Sequence, residues 1–324
     1  MANVVAPTPV RLTPVHIPKP WGQEIWYTGM EARGESSVVD ADGRAVPLSA
    51  YLGADPAATC NGEDVLLLKV LDPSPEPVRG DLYFEVHEEK REVYVVTAVD
   101  RTAWPAGVGA IRFGMNQPRR RAFDDDDAFR AAYLNAVTAY EAIRRAIDAG
   151  DTGRAEDEQA ARAEMDAFTA IKELQVGDVV QVPTWTPHSL QHGVRVVEFQ
   201  TPTYERLIVS FAQRVLTQDH WDTAAAVARM HLDPPAPPRL APVAPGVERI
   251  ATFEGFNVWR LRGSVELPAA LPYAVCMAID GTARIGDLEL AHEAAAFVPR
   301  AALAAGRVTV AAGDATVLIA APGL

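Results

Sequence analysis

Phe84-Glu85-Val86-His87-Glu88-Glu89-Lys90-Arg91-Glu92-Val93-Tyr94-Val95-Val96 is the stretch from which the fold can be read. Glu85 and His87 stand two apart in an alternating apolar run. Successive side chains leave opposite faces of a strand, so these two leave the same face. Glu92 opens a second apolar run, Val93 to Thr97, which reads as the neighbouring strand of a short hairpin. Further along, Gly177-Asp178-Val179-Val180-Gln181-Val182-Pro183-Thr184-Trp185-Thr186-Pro187-His188 reads as a Gly-Asp turn, an apolar strand, a Pro-bounded bend and a His. Two His and two carboxylates converging inside a small barrel make a donor set for zinc or a transition metal.

Outward from these segments, residues 1–116 read mainly as short strands and turns. Val65-Leu66-Leu67-Leu68-Lys69-Val70-Leu71 is a buried strand ended by Asp72-Pro73-Ser74-Pro75. Between 119 and 174 the period changes. Phe129, Tyr133, Val137, Tyr140, Ile143 and Ile147 recur at three and four, which predicts a helix with one apolar stripe. Ala149-Gly150-Asp151-Thr152-Gly153 breaks it, and Met165, Phe168 and Ile171 predict a second helix, making a helical hairpin inserted between strands. The acidic run Asp124 to Asp127 falls at the first helix's N-terminus, where carboxylates favour the dipole; it reads as a cap rather than a metal site. Strands return over 176–182, 194–200 and 207–211. A helix follows over 220–231, with Asp222 or Thr223 as its cap.

Asp233-Pro234-Pro235-Ala236-Pro237-Pro238, with Pro242 and Pro245 beyond, reads as a stiff linker of polyproline character. The chain then alternates again, punctuated by turns, with one His, His292, and no repeat of the earlier motifs. The expected organisation is an N-terminal metal-binding domain over 1–232 with a helical insertion at 119–174, a linker over 233–246, and a small β domain without a metal site over 247–324.

The 324 residues are 48% hydrophobic and 23% charged, a globular composition with ample length for a core. A net charge of −13 argues against nucleic acid or an anionic membrane as partner. A small anionic substrate stays open, because a few local cations suffice to hold a phosphate. Cys60 and Cys276 make no disulfide framework, as in a reducing compartment. The Pro-rich start has no apolar signal core and no run is long enough to span a bilayer, so a cytoplasmic monomer or homodimer is expected.

Taken in order, these segments resemble type I mannose-6-phosphate isomerases, zinc enzymes of the cupin superfamily. Pro20-Trp21-Gly22 is similar to that family's N-terminal Pro-Trp-Gly, and Leu68-Lys69-Val70-Leu71 to its Leu-Lys strand. Glu85-Val86-His87 stands where the family has Gln-x-His, and Lys90-Arg91-Glu92-Val93-Tyr94 matches its Lys-x-Glu segment. Gly177-Asp178 through Thr186-Pro187-His188, Val197-Glu198-Phe199-Gln200 with Arg206, and Ala295-Ala296-Phe297-Val298-Pro299 continue the likeness. The resemblance implies a mainly β chain of tandem cupin (RmlC-like jelly-roll) barrels plus a helical hairpin. It implies a metal-dependent aldose–ketose isomerase that interconverts mannose 6-phosphate and fructose 6-phosphate, or a related sugar or sugar phosphate, through an enediol. One divalent ion is implied, zinc foremost, with manganese, iron or nickel as alternatives. Its ligands would be Glu85, His87, Glu92 and His188. Arg206 would stabilise the enediolate and Lys90 would serve the substrate or phosphate side, with Lys19 or Arg91 adding positive charge.

Four departures mark a divergent member. Glu85 replaces Gln, and two carboxylates would neutralise a divalent ion, weakening its Lewis acidity and favouring a harder metal. Trp185 replaces Gly, which places a bulky ring beside the ligand strand and predicts a narrowed pocket. The turn from His87 to Glu92 is short, and so is the spacing from Glu198 to Arg206. Two other classes stay open: a cupin oxygenase with a non-haem metal, and a non-catalytic sugar-binding cupin protein. The proton-transferring base has no sequence signature.

Overall fold

A computed structural model of the chain describes residues 7–39, 43–306 and 308–323. Two pairs of antiparallel sheets are stacked, and helices cover one outer face of the stack. The apolar runs explain the stacking. Strand Glu92–Val99 sends Val93 and Val95 to one core and Tyr94 and Val96 to another. Strand Tyr273–Ala278 does the same, with Tyr273, Val275 and Met277 on one side and Ala274, Cys276 and Ala278 on the other. Strands covered on both faces read as continuous apolar runs rather than as alternation.

The first jelly-roll pair is a six-stranded sheet facing a five-stranded one. The six run Val179–Val182, Glu92–Val99, Val194–Gln200, Leu67–Pro73, Gly22–Trp26 and Val15–Lys19. The five run Thr169–Leu174, Gly109–Met115, His188–Leu190, Phe84–Val86 and Leu207–Ser210. Trp21, Tyr94, Ile111, Leu190 and Ile208 pack in a core they share. Pro20-Trp21-Gly22 has a local reason: Gly22 sits at φ +148, and a Cβ there would lie 2.3 Å from the Asp72 carbonyl oxygen. A nine-stranded and a four-stranded sheet form the second pair.

Helix Asp126–Asp148 lays Phe129, Tyr133, Val137 and Tyr140 on the outer face of the five-stranded sheet, against Phe84, Val86 and Val209. Burying each such side chain is worth on the order of 1.5–3 kcal/mol. Asp125 caps this helix through the Ala128 amide, as its acidic start predicts. The second helix ends at Asp166, short of the expected boundary, and Thr169–Leu174 is a strand paired with Gly109–Met115. There the ladder pairing, not an apolar stripe, decides the element, and Ile171 is left 54% exposed. The later helix is Thr223–Arg229, and the Asp222 carboxylate accepts from the Ile208 amide rather than capping it.

Strands Val10–Thr13, Ser37–Val39 and Ala45–Pro47 extend the nine-stranded sheet, with Val10 opposite Phe297. The start of the chain is thus built into the sheet that carries most C-terminal strands. Part of the proline-rich segment, Ala241–Ala244, also joins that sheet as its edge.

Candidate metal centre and cleft

Strand Phe84–Val86 turns Phe84 and Val86 to the helices, so Glu85 and the following His87 face the interior of the first jelly roll. His188 opens the neighbouring strand, directly opposite Glu85 in the ladder. Glu92 begins a strand of the facing sheet. Ligand atoms of Glu85, His87 and His188 all lie within 4.8 Å of one another. Glu92 Oε1 is 3.1 Å from His87 Nε2 and 2.8 Å from His188 Nε2, so the fourth expected residue meets them.

Each imidazole is held from behind. His87 Nδ1 lies 3.1 Å from the Glu205 carbonyl oxygen, and His188 Nδ1 lies 2.9 Å from that of Thr186. A carbonyl accepts, so each Nδ1 donates to it and each Nε2 is left facing the carboxylates, the nitrogen on which a metal would replace a proton. His188 Nε2 and Glu85 Oε2 are buried without a hydrogen-bond partner. Two imidazole nitrogens and two carboxylates converging at these distances are a donor set that fits a divalent ion.

The charges around the centre agree. Burial pushes Glu85 and Glu92 up, but Lys90 and His87 outweigh it and hold both below the usual carboxylate range. Burial, with Lys90, pushes His87 down. His188 is held up by Glu92 against its burial, so a metal there competes with a proton. Lys90 Nζ is 2.9 Å from Glu92 Oε2, and the Tyr94 hydroxyl donates to Glu92 Oε1 at 2.8 Å.

Glu85, Glu92, Lys90 and Arg206 line one cleft, with Lys19 further along it. The Arg206 guanidinium lies over the Tyr83 ring at 4.4 Å and donates to Thr217 Oγ1 at 2.7 Å. Arg91 does not reach this cleft. It pairs with Glu254 at 3.0 Å, because the tight turn points it outward. His192, four residues after His188, pairs with Asp81 and stacks on Trp104.

The cleft also holds groups that the motifs leave unassigned. Lys69 pairs with Glu198 at 3.2 Å, and Lys19 with Glu24 at 3.1 Å. Burial raises Glu24, but Lys69 and Lys19 bring it down to about 2. Burial, joined by Glu92, holds Glu198 well above the carboxylate range despite Lys69. An isolated Glu two residues from Trp26 was the available signal for Glu24, and Trp26 Nε1 donates to it at 2.6 Å.

Trp185 does not narrow the cleft. Its ring packs on the helical side beneath Arg229, 3.9 Å from the guanidinium carbon. Its backbone is left-handed, φ +60, while its amide donates to His87 O at 2.7 Å and its carbonyl accepts from the His231 amide at 2.8 Å. A Cβ in that conformation costs roughly 1–2 kcal/mol, offset in part by the ~0.4–1 kcal/mol of extra unfolded-chain entropy that Gly brings. Trp185→Ala should therefore destabilise the protein by about 1 kcal/mol more than Trp185→Gly in urea denaturation. Equal losses would show that the backbone there is unstrained.

No protein-family model matches the chain, and no curated protein matches it in sequence. Solved structures do match. The mannose 6-phosphate isomerase from Bacillus subtilis superposes with TM-score 0.69 at 17% identity, over 97% of this chain and 99% of that one. The apo mannose 6-phosphate isomerase from Salmonella typhimurium gives 0.71 at 12%, over 98% and 100%. A mannose 6-phosphate isomerase bound with zinc and yttrium gives 0.72 at 12%, with the same coverage. The chain therefore has a tandem-cupin fold, with a His-and-carboxylate cluster in its first jelly roll. That fold, from end to end, is the one seen in mannose-6-phosphate isomerases.

Proposed function

We propose that the chain is an aldose–ketose isomerase that interconverts mannose 6-phosphate and fructose 6-phosphate, or a related sugar or sugar phosphate. The observation that carries this reading is the pair of imidazoles locked by backbone carbonyls, with both Nε2 atoms turned onto carboxylates in a cleft that also presents Lys90 and Arg206. Glu85, His87, Glu92 and His188 would hold one divalent ion, zinc foremost, which would supply polarisation of substrate oxygens and stabilisation of oxyanion charge.

The rest of the chemistry falls to the chain. Moving a proton between C1 and C2 needs a group that takes it up and returns it. Glu198, whose proton affinity burial and Glu92 raise, suits that task within the cleft. Arg206 is always charged and would stabilise an enediolate. Lys90, fixed by Glu92, presents its ammonium to the substrate side. The N-terminal domain of 1–232 carries this chemistry in our reading. The C-terminal unit of 247–324 completes its fold with strands 10–13, 37–39 and 45–47.

Metal content by mass spectrometry, with mannose 6-phosphate turnover assayed on the same untreated sample, tests the proposal. Stoichiometric zinc with turnover is expected, and His188→Ala should lose most of that metal. Failure to bind a divalent ion after reconstitution would overturn the reading. Bound iron with oxygen uptake and no isomerisation would replace it by an oxygenase.

A further inference from the structure

Between His87 and Glu92 the chain makes a turn whose backbone is fastened almost wholly by one residue. Glu205 Oε1 accepts from the Glu88 amide at 3.0 Å, and Oε2 accepts from Glu88 at 2.9 Å, Glu89 at 3.1 Å and Lys90 at 3.4 Å. Successive amides converging on one carboxylate make an anion-binding nest. The same residue's carbonyl oxygen faces His87 Nδ1 at 3.1 Å. Neighbouring bonds complete the clasp. Thr201 Oγ1 accepts from the Arg91 amide at 3.2 Å, and the His87 carbonyl accepts from the Trp185 amide at 2.7 Å.

We infer that Glu205 is the positioning residue of the centre: its carboxylate shapes the turn that carries His87, Lys90 and Glu92, while its carbonyl sets the tautomer and direction of His87. This rests on the metal-centre reading proposed above. The turn cannot hold itself. It is too short for a ladder of its own, and three consecutive amides point the same way, so without an acceptor they would need water where the 201–206 segment now lies. The carboxylate supplies that acceptor with a full charge, and charge-assisted bonds are about twice as strong as neutral ones. Lys90 is set through its own backbone, which aims its ammonium at Glu92. Glu205 thus acts on the centre at two points without contributing a ligand atom. Its position next to Arg206 means that one short segment places the clasp and the cleft guanidinium together.

Zinc affinity by competition with a chromophoric chelator, and the visible spectrum of the cobalt-loaded protein, test this on wild type, Glu205→Ala and Glu205→Gln. Groups that orient ligands from behind typically govern 10–100-fold in metal affinity. Glu205→Ala should lose affinity in that range and shift the cobalt bands. Glu205→Gln, which keeps an oxygen acceptor, should fall between it and wild type and serves if the Ala variant fails to fold. Variants that bind zinc as tightly as wild type, with an unchanged cobalt spectrum, would overturn the inference even if their melting temperatures fell, because that pattern belongs to a merely structural contact. Wild type that binds neither ion would overturn the metal centre itself, a result distinct from variants and wild type binding alike.

Discussion

Glu92→Ala is expected to lower the stability of the metal-free protein by about 3–5 kcal/mol, the usual cost of removing one partner of a buried ion pair. Glu92 is 1% exposed, and four groups depend on it: Lys90, the Tyr94 hydroxyl, and the Nε2 atoms of His87 and His188. The Ala variant leaves the Lys90 ammonium buried without a carboxylate and the Tyr94 hydroxyl without its acceptor. Glu92→Gln keeps an acceptor for Tyr94 and the shape of the site, so its loss should be visibly smaller. Urea denaturation of both variants after metal removal reads the difference. If Glu92→Ala costs no more than a surface substitution, the buried network does not hold the hairpin to the facing sheet.

Arg206→Ala should lower kcat by about 100- to 1,000-fold, the range found when one oxyanion-stabilising donor is removed. Arg206 is held at the cleft by the Tyr83 ring and by Thr217, and Glu85 keeps its affinity for the proton high against burial. Arg206→Lys restores charge but not the planar fork that stacks and donates in two directions, so it should recover a minor part of the loss. Single-turnover measurement separates a kcat effect from a KM effect. Loss confined to KM would make Arg206 a substrate-binding group, and an unchanged rate would remove it from the chemistry.

The centre was legible in the sequence because its logic is local. Glu85 and His87 share a face by strand alternation, Glu92 opens the next apolar run, and Thr186-Pro187-His188 closes a bounded strand; all four meet. The helical stripe from Phe129 to Tyr140 was legible for the same reason. What was missed depends on partners far away in the chain. Glu24 becomes a cleft residue through Lys19, Lys69 and Trp26. Glu205 acquires its role from amides more than a hundred positions earlier. Arg91 and Trp185 sit beside ligands in sequence yet point away, one because of a tight turn and the other because its backbone is left-handed. Residue 171 looked helical because its spacing of three from Phe168 fits a helix face, whereas the strand there is set by pairing with Gly109–Met115, distant in sequence.

The pairing of Val10–Thr13 with Ala295–Pro299 also bears on how the molecule is made. These strands lie far apart in the sequence, and contacts so distant carry a high loop-closure cost and slow folding. During synthesis Val10–Thr13 can pair early with Ser37–Val39, and that strand with Ala45–Pro47, but the edge of Val10–Thr13 that faces Ala295–Pro299 has no partner until nearly all the intervening chain has been made. The six- and five-stranded sheets need no such wait, since their strands all lie between residues 15 and 210. The order of assembly is therefore set by topology. The jelly roll with the His-and-carboxylate cluster can close during translation, while the three-strand piece that begins at Val10 waits with one edge open to be joined to the rest of the nine-stranded sheet.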